Sequence, residues 1–229
     1  MMGRLYSTLP GQLLNKFQII PGRVRELSSD KKKILYCHDL PSDPEAQFLR
    51  DAEARDQFDL KVFVSNWQYQ QFRDYLSVPF DSDSIVIENG IVPIEKHIKP
   101  DGVINIVYFT TPHRGLELLY PVYEYLYNEL KVPMHLHVYS SFSIYGWEER
   151  DEPYQRLFKQ LKDHPGITYH GAVTNEVIRE DLKKMHILAY PSIWQETSCL
   201  QLIEAMSARL LCIHPNLAAL PDTAGGTTW

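Results

Sequence analysis

The sequence has few cysteines, no excess of basic residues and no long apolar run. Cys37, Cys199 and Cys212 are the only three cysteines in 229 residues. An odd number at such wide spacing gives no disulfide framework and fits a reducing compartment. The 23 Lys and Arg against 29 Asp and Glu leave a net charge of −6. That balance argues against non-specific binding of nucleic acid, which needs a basic surface.

Membrane insertion and secretion are not indicated either. No stretch approaches the ~20 apolar residues of a membrane-spanning helix. Residues 1–20 lack the compact apolar segment behind basic residues that marks a secretory signal. We therefore expect a soluble, cytoplasmic protein. The segment up to Lys33 is locally basic. Contact with a membrane surface is conceivable there, at most peripheral, but a solvated leader is the simpler interpretation.

Several common catalytic motifs are missing. The chain contains no Gly-x-Ser-x-Gly, no Cys-x-x-Cys and no Walker loop, so the chemistries that depend on them are not indicated. Asp81-Ser82-Asp83 supplies two carboxylates, fewer oxygens than a hard cation needs. His135 and His137 would share one face of a strand, but zinc normally takes at least three protein ligands. We predict no metal site.

The chain does show a regular alternation of strand-like and helix-like segments. Such alternation indicates an α/β fold of parallel sheets with helices on both faces. Asn89-Gly90 is a strong turn signal, and the proline-containing segment after it is typical of a linker. The predicted strands are 34–37, 60–64, 84–87, 104–109, 135–139, 167–170, 187–190 and 210–213. The predicted division is a leader (1–33), a partial N-terminal Rossmann-like domain (34–92), a linker (93–101) and a C-terminal Rossmann-like domain (102–229).

Two carboxylates, Glu196 and Glu204, stand with seven residues between them. The first follows an apolar strand-like run, and the second lies in a helix predicted to begin near Thr197. At about 1.5 Å per helical residue the two are roughly 12 Å apart, comparable to the reach of a diphosphate between two sugar-like rings. The amides of Thr197, Ser198 and Cys199 would face an anion at the helix start.

A plainer interpretation of this pair stays open at this point. A glutamate near a helix start is favoured by the macrodipole alone, and Glu204 could be an ordinary exposed residue. Arg114 beside Gly115 could clamp a phosphate through its planar fork of donors, or could be a surface arginine. All of these residues follow predicted strands, where parallel sheets bind ligands.

Taken together, these motifs resemble the family 4 retaining glycosyltransferases, known as glycosyl transferases group 1, which have the GT-B fold. The two glutamates match the family signature, with Tyr190-Pro191-Ser192 before the first and Ala205-Met206 after the second. Four further segments agree in order along the chain. They are Val64-Ser65-Asn66, Asn89-Gly90-Ile91, Thr111-Pro112-His113-Arg114-Gly115-Leu116 and His170-Gly171-Ala172-Val173.

The resemblance implies transfer of a sugar from a UDP-, GDP- or ADP-linked donor to an unidentified acceptor, with retained anomeric configuration and without metal or cofactor. By family analogy Glu196 holds the sugar hydroxyls and Glu204 the ribose, while Arg114 and the amides after Glu196 stabilise the leaving diphosphate. His38 would face the transferred sugar across the cleft, or could equally be a turn histidine paired with Asp39. The other implied donor contacts are Thr197, Ser198, Cys199, Leu200, His113, Gly115, Gly171 and Val173.

The sequence departs from the family at both ends. The N-terminal domain has about three strand–helix units and lacks the glycine-rich loop of the acceptor side. The family would continue beyond Gly225-Gly226, and loop 139–143 lacks the usual glycines. We therefore expect an abridged GT-B chain. Three hypotheses remain: an active transferase, a non-catalytic or fragmentary sugar-nucleotide-binding module, and an unrelated nucleotide-binding α/β protein.

Overall fold

A computed structural model describes residues 7–78 and 82–228. The chain divides into two compact units, Met1–Asn89 and Gly90–Trp229. Each unit is built on its own sheet, and every strand pairing in both sheets is parallel. The predicted α/β class is therefore confirmed. The start of the predicted leader (residues 1–6), Asp81 and Trp229 lie outside the described residues.

The first unit has a four-stranded sheet in the order β1-β2-β3-β4. Its core is apolar and includes Leu35, Leu49, Phe63 and Phe72. The strands are β1 Phe17–Pro21, β2 Lys32–Tyr36, β3 Leu60–Phe63 and β4 Ser84–Val86. The helices are α1 Gly11–Leu14, a 3-10 helix Pro44–Arg50, α2 Ala52–Arg55 and α3 Asn66–Leu76.

Strand β1 lies within the segment that the sequence analysis assigned to a leader. Phe17–Pro21 pairs with β2 along its whole length, starting with Phe17 opposite Lys32. Ile20 is buried in the core, and the Gln18 side chain accepts a hydrogen bond from the Ser28 amide at 2.8 Å. The described part of the first unit therefore has four strands where about three strand–helix units were expected.

Capping accounts for two helix boundaries in this unit. Ser65 is the N-cap of α3, since its Oγ accepts from the Gln68 amide at 3.0 Å. Between the 3-10 helix and α2, the Asp51 side chain accepts from the Ala54 amide at 2.8 Å. A side-chain cap at that point begins a new helix, so the segment divides into a 3-10 and an α-helical part.

The second unit has a five-stranded sheet in the order β7-β6-β5-β8-β9. The strands are β5 Ile104–Phe109, β6 Met134–Tyr139, β7 Ile167–Tyr169, β8 Ile187–Ala189 and β9 Leu211–Ile213. The α-helices are α4 Leu116–Leu130, α5 Gln155–Asp163, α6 Asn175–Leu182, α7 Leu200–Ser207 and α8 Leu220–Ala224. The 3-10 helices are Pro112–Arg114, Phe142–Tyr145 and Glu148–Tyr154. Among the described residues, no helix is long and apolar enough to cross a bilayer.

The strand order places a topological switch point between β5 and β8. From β5 the chain proceeds to β6 and β7 on one side, then returns to β8 on the other side of β5. Loops that leave the two central strands therefore diverge and open a crevice at their carboxyl ends. In open parallel sheets this crevice is where ligands bind.

Gly115 allows the loops after β5 and β8 to meet at this crevice. It has φ +108°, and a Cβ on it would lie 2.1 Å from the carbonyl oxygen of Pro191. No side chain fits there without moving the backbone. The requirement for glycine is therefore both conformational and steric.

Replacement of Gly115 by alanine tests this contact against a matched glycine. Gly102 has φ +98° but open space around its Cβ position. Gly102→Ala should therefore carry only the backbone strain, about 1–3 kcal/mol. Gly115→Ala should lower the free energy of unfolding by roughly twice as much or more, as measured by urea titration. Equal losses in the two variants would show that Pro191 moves aside without cost.

Candidate active site at the β5 and β8 strand ends

Arg114 and Glu196, 82 positions apart in the chain, form a buried ion pair at the switch point. Arg114 ends the short helix after β5, and Glu196 lies in the loop after β8. The Arg114 Nη1 donates to Glu196 Oε1, and their side chains are 22% and 7% exposed. The interpretation of Arg114 as an ordinary surface arginine is therefore wrong. Both residues were predicted to touch the ligand, and the structure pairs them with each other.

Tyr190 forms a further hydrogen bond with this ion pair. Its hydroxyl donates to the same Oε1 atom of Glu196, and the residue is only 1% exposed. Burial and the neighbouring Glu196 carboxylate raise the pKa of Tyr190, so the hydroxyl stays protonated and remains a donor. No hydrogen bond from a described residue to the other oxygen, Oε2, is recorded. Glu196 therefore keeps one oxygen for a ligand.

The Arg114 guanidinium stays charged despite its burial. Desolvation lowers the pKa of Arg114, but Glu196 and Tyr190 raise it, and the net shift is upward. Its Nε is buried and has no partner among the described residues. Buried donors are normally paired, so this nitrogen favours the approach of an acceptor.

His113, predicted as a donor contact, lies in a cluster of rings beside Arg114. Its imidazole stacks on Phe142 at 5.2 Å and meets the edge of Trp194 at 4.9 Å. Burial, together with Arg114 and Arg150, lowers the pKa of His113 to about 4. The ring is therefore neutral at neutral pH and does not add to the positive charge of Arg114.

A buried aspartate fixes the loop that carries Phe142. Asp151 accepts hydrogen bonds from Ser141 Oγ at 2.5 Å and from the Phe142 amide at 2.9 Å. This loop lacks the glycines that are usual at such a strand end. The structure shows why it can: a side-chain anchor, rather than backbone freedom, shapes the strand end.

Helix α7 starts later than the sequence predicts. The helix begins at Leu200 with Cys199 as its N-cap residue, so the amides of Thr197 and Ser198 do not belong to its first turn. The Cys199 amide donates to Thr223 Oγ1 at 3.4 Å. Among the described residues, the amides of Leu200 and Gln201 at the helix start have no hydrogen-bond partner. Thr197, Ser198 and Cys199 form the turn that leads from Glu196 to this start.

The Cys199 thiol is not a reactive group. It is buried, and desolvation and the Glu196 carboxylate raise its pKa. A thiol held protonated is a poor nucleophile. Cys199 therefore contributes to the site through its backbone and packing.

Glu204 is buried and held by two side chains of α6. Asn175 Nδ2 lies 3.2 Å from each carboxylate oxygen, and Arg179 Nη1 lies 3.2 Å from Oε1. The second nitrogen of Arg179 donates to the Val92 carbonyl at 2.7 Å. With 8% exposure, Glu204 is not an ordinary surface residue, so that interpretation is wrong. A role in binding ribose stays a prediction.

The loop after β7 reaches Glu204 through Asn175. Gly171 adopts φ +68°, Val173 packs against the core, and Asn175 is the first residue of α6. The two predicted donor residues of this loop therefore lie at the same edge of the sheet as Arg114. Contact with a nucleotide base stays a prediction.

His38 belongs to the first unit, directly after β2. Burial lowers the pKa of His38, while Asp39 opposes that shift, and its ring lies 4.3 Å from the ring of Tyr36. Asp39 is 3.9 Å from the guanidinium of Arg23. The predicted contact of His38 with the transferred sugar is not tested by these distances.

The motifs that suggested metal ligands have other partners. Asp83 pairs with Lys61, and Asp81 lies outside the described residues. His135 lies 2.7 Å from Thr168 Oγ1, and His137 lies 3.2 Å from His170. In residues 7–78 and 82–228, no group of three or more His, Cys, Asp or Glu could hold a metal ion.

A large groove of the second unit adjoins this site, since Tyr190 and Pro191 are part of its lining. It has a volume of about 530 Å³ and lies against α4 and the sheet. Its lining is almost wholly apolar and includes Ile106, Val122, Leu126 and Ile187. A diphosphate needs donors and positive charge, which this groove lacks. The charged crevice beside Arg114 is therefore the better candidate.

Comparison with protein families gives an independent result for the second unit. Residues 118–228 match the family described as glycosyl transferases group 1. No curated protein matches the chain. The matched segment includes the start of α7 and both carboxylates of the candidate site.

Solved structures extend the similarity to both units. A glycosyltransferase from Rickettsia africae ESF-5 matches 92% of this chain and 60% of its own at 14% identity, with TM-score 0.65. Anabaena HepE, crystallised with UDP-glucose, matches 84% of this chain and 55% of its own at 13% identity, with TM-score 0.63. TarM, known from S. aureus, matches 85% of this chain and 38% of its own at 16% identity, with TM-score 0.60.

Identities this low show a shared fold. The chain spans between 38% and 60% of the length of these three proteins. Two parallel-sheet units that match such proteins confirm the predicted GT-B fold. Residues 118–228 of the second unit are similar to the glycosyl transferases group 1.

Proposed function

We propose that this chain transfers a sugar from a nucleotide sugar to an acceptor, with retained anomeric configuration and without a metal ion. The observation that carries the proposal is the buried Arg114–Glu196 pair at the β5–β8 switch point, beside the start of α7. The pair combines a cation for the leaving group with a carboxylate for sugar hydroxyls.

The diphosphate is the part of a donor that this site suits best. The Leu200 and Gln201 amides lie at the start of α7, where the helix dipole adds partial positive charge. Negative charge grows on the diphosphate as the sugar leaves. Donors such as these amides and Arg114 stabilise that charge most in a site shielded from water.

The two carboxylates suit the two ends of the donor. Glu196 offers Oε2 to the hydroxyls of the sugar. Glu204 has its plane fixed by Asn175 and Arg179, and a carboxylate in a fixed plane suits the paired hydroxyls of a ribose. His38 would contact the sugar from the first unit. Leu200, His113, Gly115, Gly171 and Val173 shape the rest of the donor site.

The similar structures support a uridine donor as the first to test. HepE is crystallised with UDP-glucose, and the pneumococcal O-GlcNAc transferase GtfA with UDP and GlcNAc. UDP-, GDP- and ADP-sugars all remain candidates, and the acceptor is unidentified. Cytoplasmic location and the absence of a resident cofactor remain predictions.

A second candidate function is sugar-nucleotide binding without turnover. The observation in its favour is that Arg114, Glu196 and Glu204 all lie within Gly90–Trp229. Donor binding by these residues does not require the first unit, whereas transfer also needs a place for the acceptor. The two functions therefore agree on binding and differ on turnover.

A thermal-shift panel tests donor binding. UDP-, GDP- and ADP-glucose and the three free diphosphates are added at up to millimolar concentrations. One base should stabilise the protein, by about 2.7 kcal/mol once the ligand reaches 100 times its Kd. Glu196→Gln should lower the affinity for the sugar nucleotide at least tenfold. It should leave the affinity for the matching diphosphate within about threefold, because Glu196 faces the sugar.

The matched control is Glu129→Gln, since Glu129 is an exposed glutamate at the end of α4. It should leave both affinities unchanged. Similar stabilisation by all nucleotides, unaffected by Glu196→Gln, would favour the unrelated nucleotide-binding protein instead.

Proton NMR of the reaction with the preferred α-linked donor tests turnover and stereochemistry. The first-formed anomeric signal should be α whether water or an added sugar accepts. A first-formed β signal would contradict retention. Saturable binding with no new anomeric signal, for a panel of acceptors, would favour the binding module.

Chelation tests the metal-independent mechanism. Donor affinity and transfer rate should change by less than about twofold in excess EDTA, because Arg114 and the α7 amides supply the positive charge that a metal ion would otherwise supply. Addition of Mg²⁺ or Mn²⁺ after chelation is the control. A loss in EDTA that Mn²⁺ restores would refute the metal-independent mechanism.

A further inference from the structure

Glu196 Oε1 is unusual because two donors from different elements converge on it. Arg114 Nη1 reaches it from the loop after β5, and the Tyr190 hydroxyl reaches it from the end of β8. Both Glu196 and Tyr190 are buried. A single carboxylate oxygen therefore has one charged and one neutral partner.

The charged partner is also the residue that a diphosphate would attract. If the Arg114 guanidinium turns toward a ligand, its contact with Glu196 is weakened or lost. Removing one partner from a buried ion pair is costly, because it leaves the other charge uncompensated. Binding of a diphosphate by Arg114 alone would therefore leave the Glu196 carboxylate uncompensated, and that cost would oppose binding.

The neutral partner cannot follow a ligand, because Tyr190 is fixed by its surroundings. Its amide donates to the Ile213 carbonyl at 2.9 Å, and its ring lies 6.3 Å from the ring of Tyr108. The Tyr108 hydroxyl in turn donates to the Thr111 carbonyl at 2.9 Å, in the loop that carries Arg114. Tyr190 can therefore keep its hydrogen bond to Glu196 whichever way Arg114 points.

We propose that Tyr190 is a positioning residue that keeps Glu196 hydrogen-bonded while Arg114 moves from Glu196 to the diphosphate of the ligand. This proposal rests on the proposed function, since it concerns the same donor site. Tyr190 retains one donor on Oε1 during the exchange, so Glu196 is never left without a partner. Oε2 stays directed at the sugar in both states.

Tyr190→Phe removes the hydroxyl and keeps the ring, and isothermal titration with UDP, GDP and ADP measures the effect. The diphosphate that binds the wild-type protein should bind Tyr190→Phe roughly tenfold more weakly, which corresponds to about 1.4 kcal/mol. Tyr123→Phe is the matched control. Tyr123 is also buried, and its hydroxyl donates to the Gly166 carbonyl at 2.6 Å. Removal of this hydroxyl should leave the diphosphate affinity within twofold of the wild-type value.

A double-mutant cycle separates positioning from packing. In the Glu196→Gln background the buried side chain carries no charge, so Tyr190→Phe should change the diphosphate affinity less than twofold. A role in packing alone would weaken binding equally in both backgrounds, and that result would overturn the proposal. If Tyr190→Phe alone does not fold, the diphosphate affinities of Glu196→Gln and of the double variant are compared. A difference of more than twofold would then overturn the proposal.

Two further outcomes distinguish this proposal from the function on which it rests. If Tyr190→Phe binds like the wild type while Glu196→Gln still weakens the sugar nucleotide, the proposal for Tyr190 is wrong and the donor site stands. If the wild-type protein binds none of the three diphosphates, both are wrong.

Discussion

Burial of a charge pair at the switch point is the constraint on which the candidate site depends. Arg114 and Glu196 must meet because neither charge is stable alone in the crevice. Their meeting requires the loops after β5 and β8 to touch, and that contact requires a residue without a side chain at Gly115. The parallel strand order places both loops at one edge. Sheet topology, backbone freedom and electrostatics thus converge on the same few residues.

The two carboxylates of the signature are held in different ways, and this difference suits different tasks. Glu196 has both donors on one oxygen, which leaves the other oxygen without a partner among the described residues. Glu204 has donors on both oxygens, from Asn175 and Arg179 of α6. The first arrangement leaves an acceptor that can adapt to a sugar. The second gives a carboxylate of fixed orientation, and it couples α7 to α6.

Local patterns in the sequence predict much of this structure, while contacts between distant residues decide the rest. Ser65 as a helix cap follows from neighbouring residues, and so does the strand Ile104–Phe109. The start of α7 does not, because it depends on the bond of the Cys199 amide to Thr223, 24 residues away. The pairing of Arg114 with Glu196 also depends on a distant contact, because it forms only when β5 and β8 are neighbours in the sheet. The sequence shows Tyr190 as the end of an apolar run and as part of the signature, but it does not reveal the hydroxyl's partner, because the loop that follows sets that contact.

The candidate donor residues all lie in one unit, so donor binding and sugar transfer can be considered separately. Arg114, Glu196 and Glu204 all have their partners within Gly90–Trp229, so the second unit contains the contacts that would retain a nucleotide sugar. Transfer adds a second requirement, since an acceptor hydroxyl must approach the sugar carbon on a face that these residues leave open. Under the proposed function, donor affinity is a property of the β5–β8 crevice, and turnover depends in addition on a place for the acceptor. The proposed exchange then makes the charge pair a limit on donor affinity, because Arg114 can contact the ligand only to the extent that Glu196 releases it.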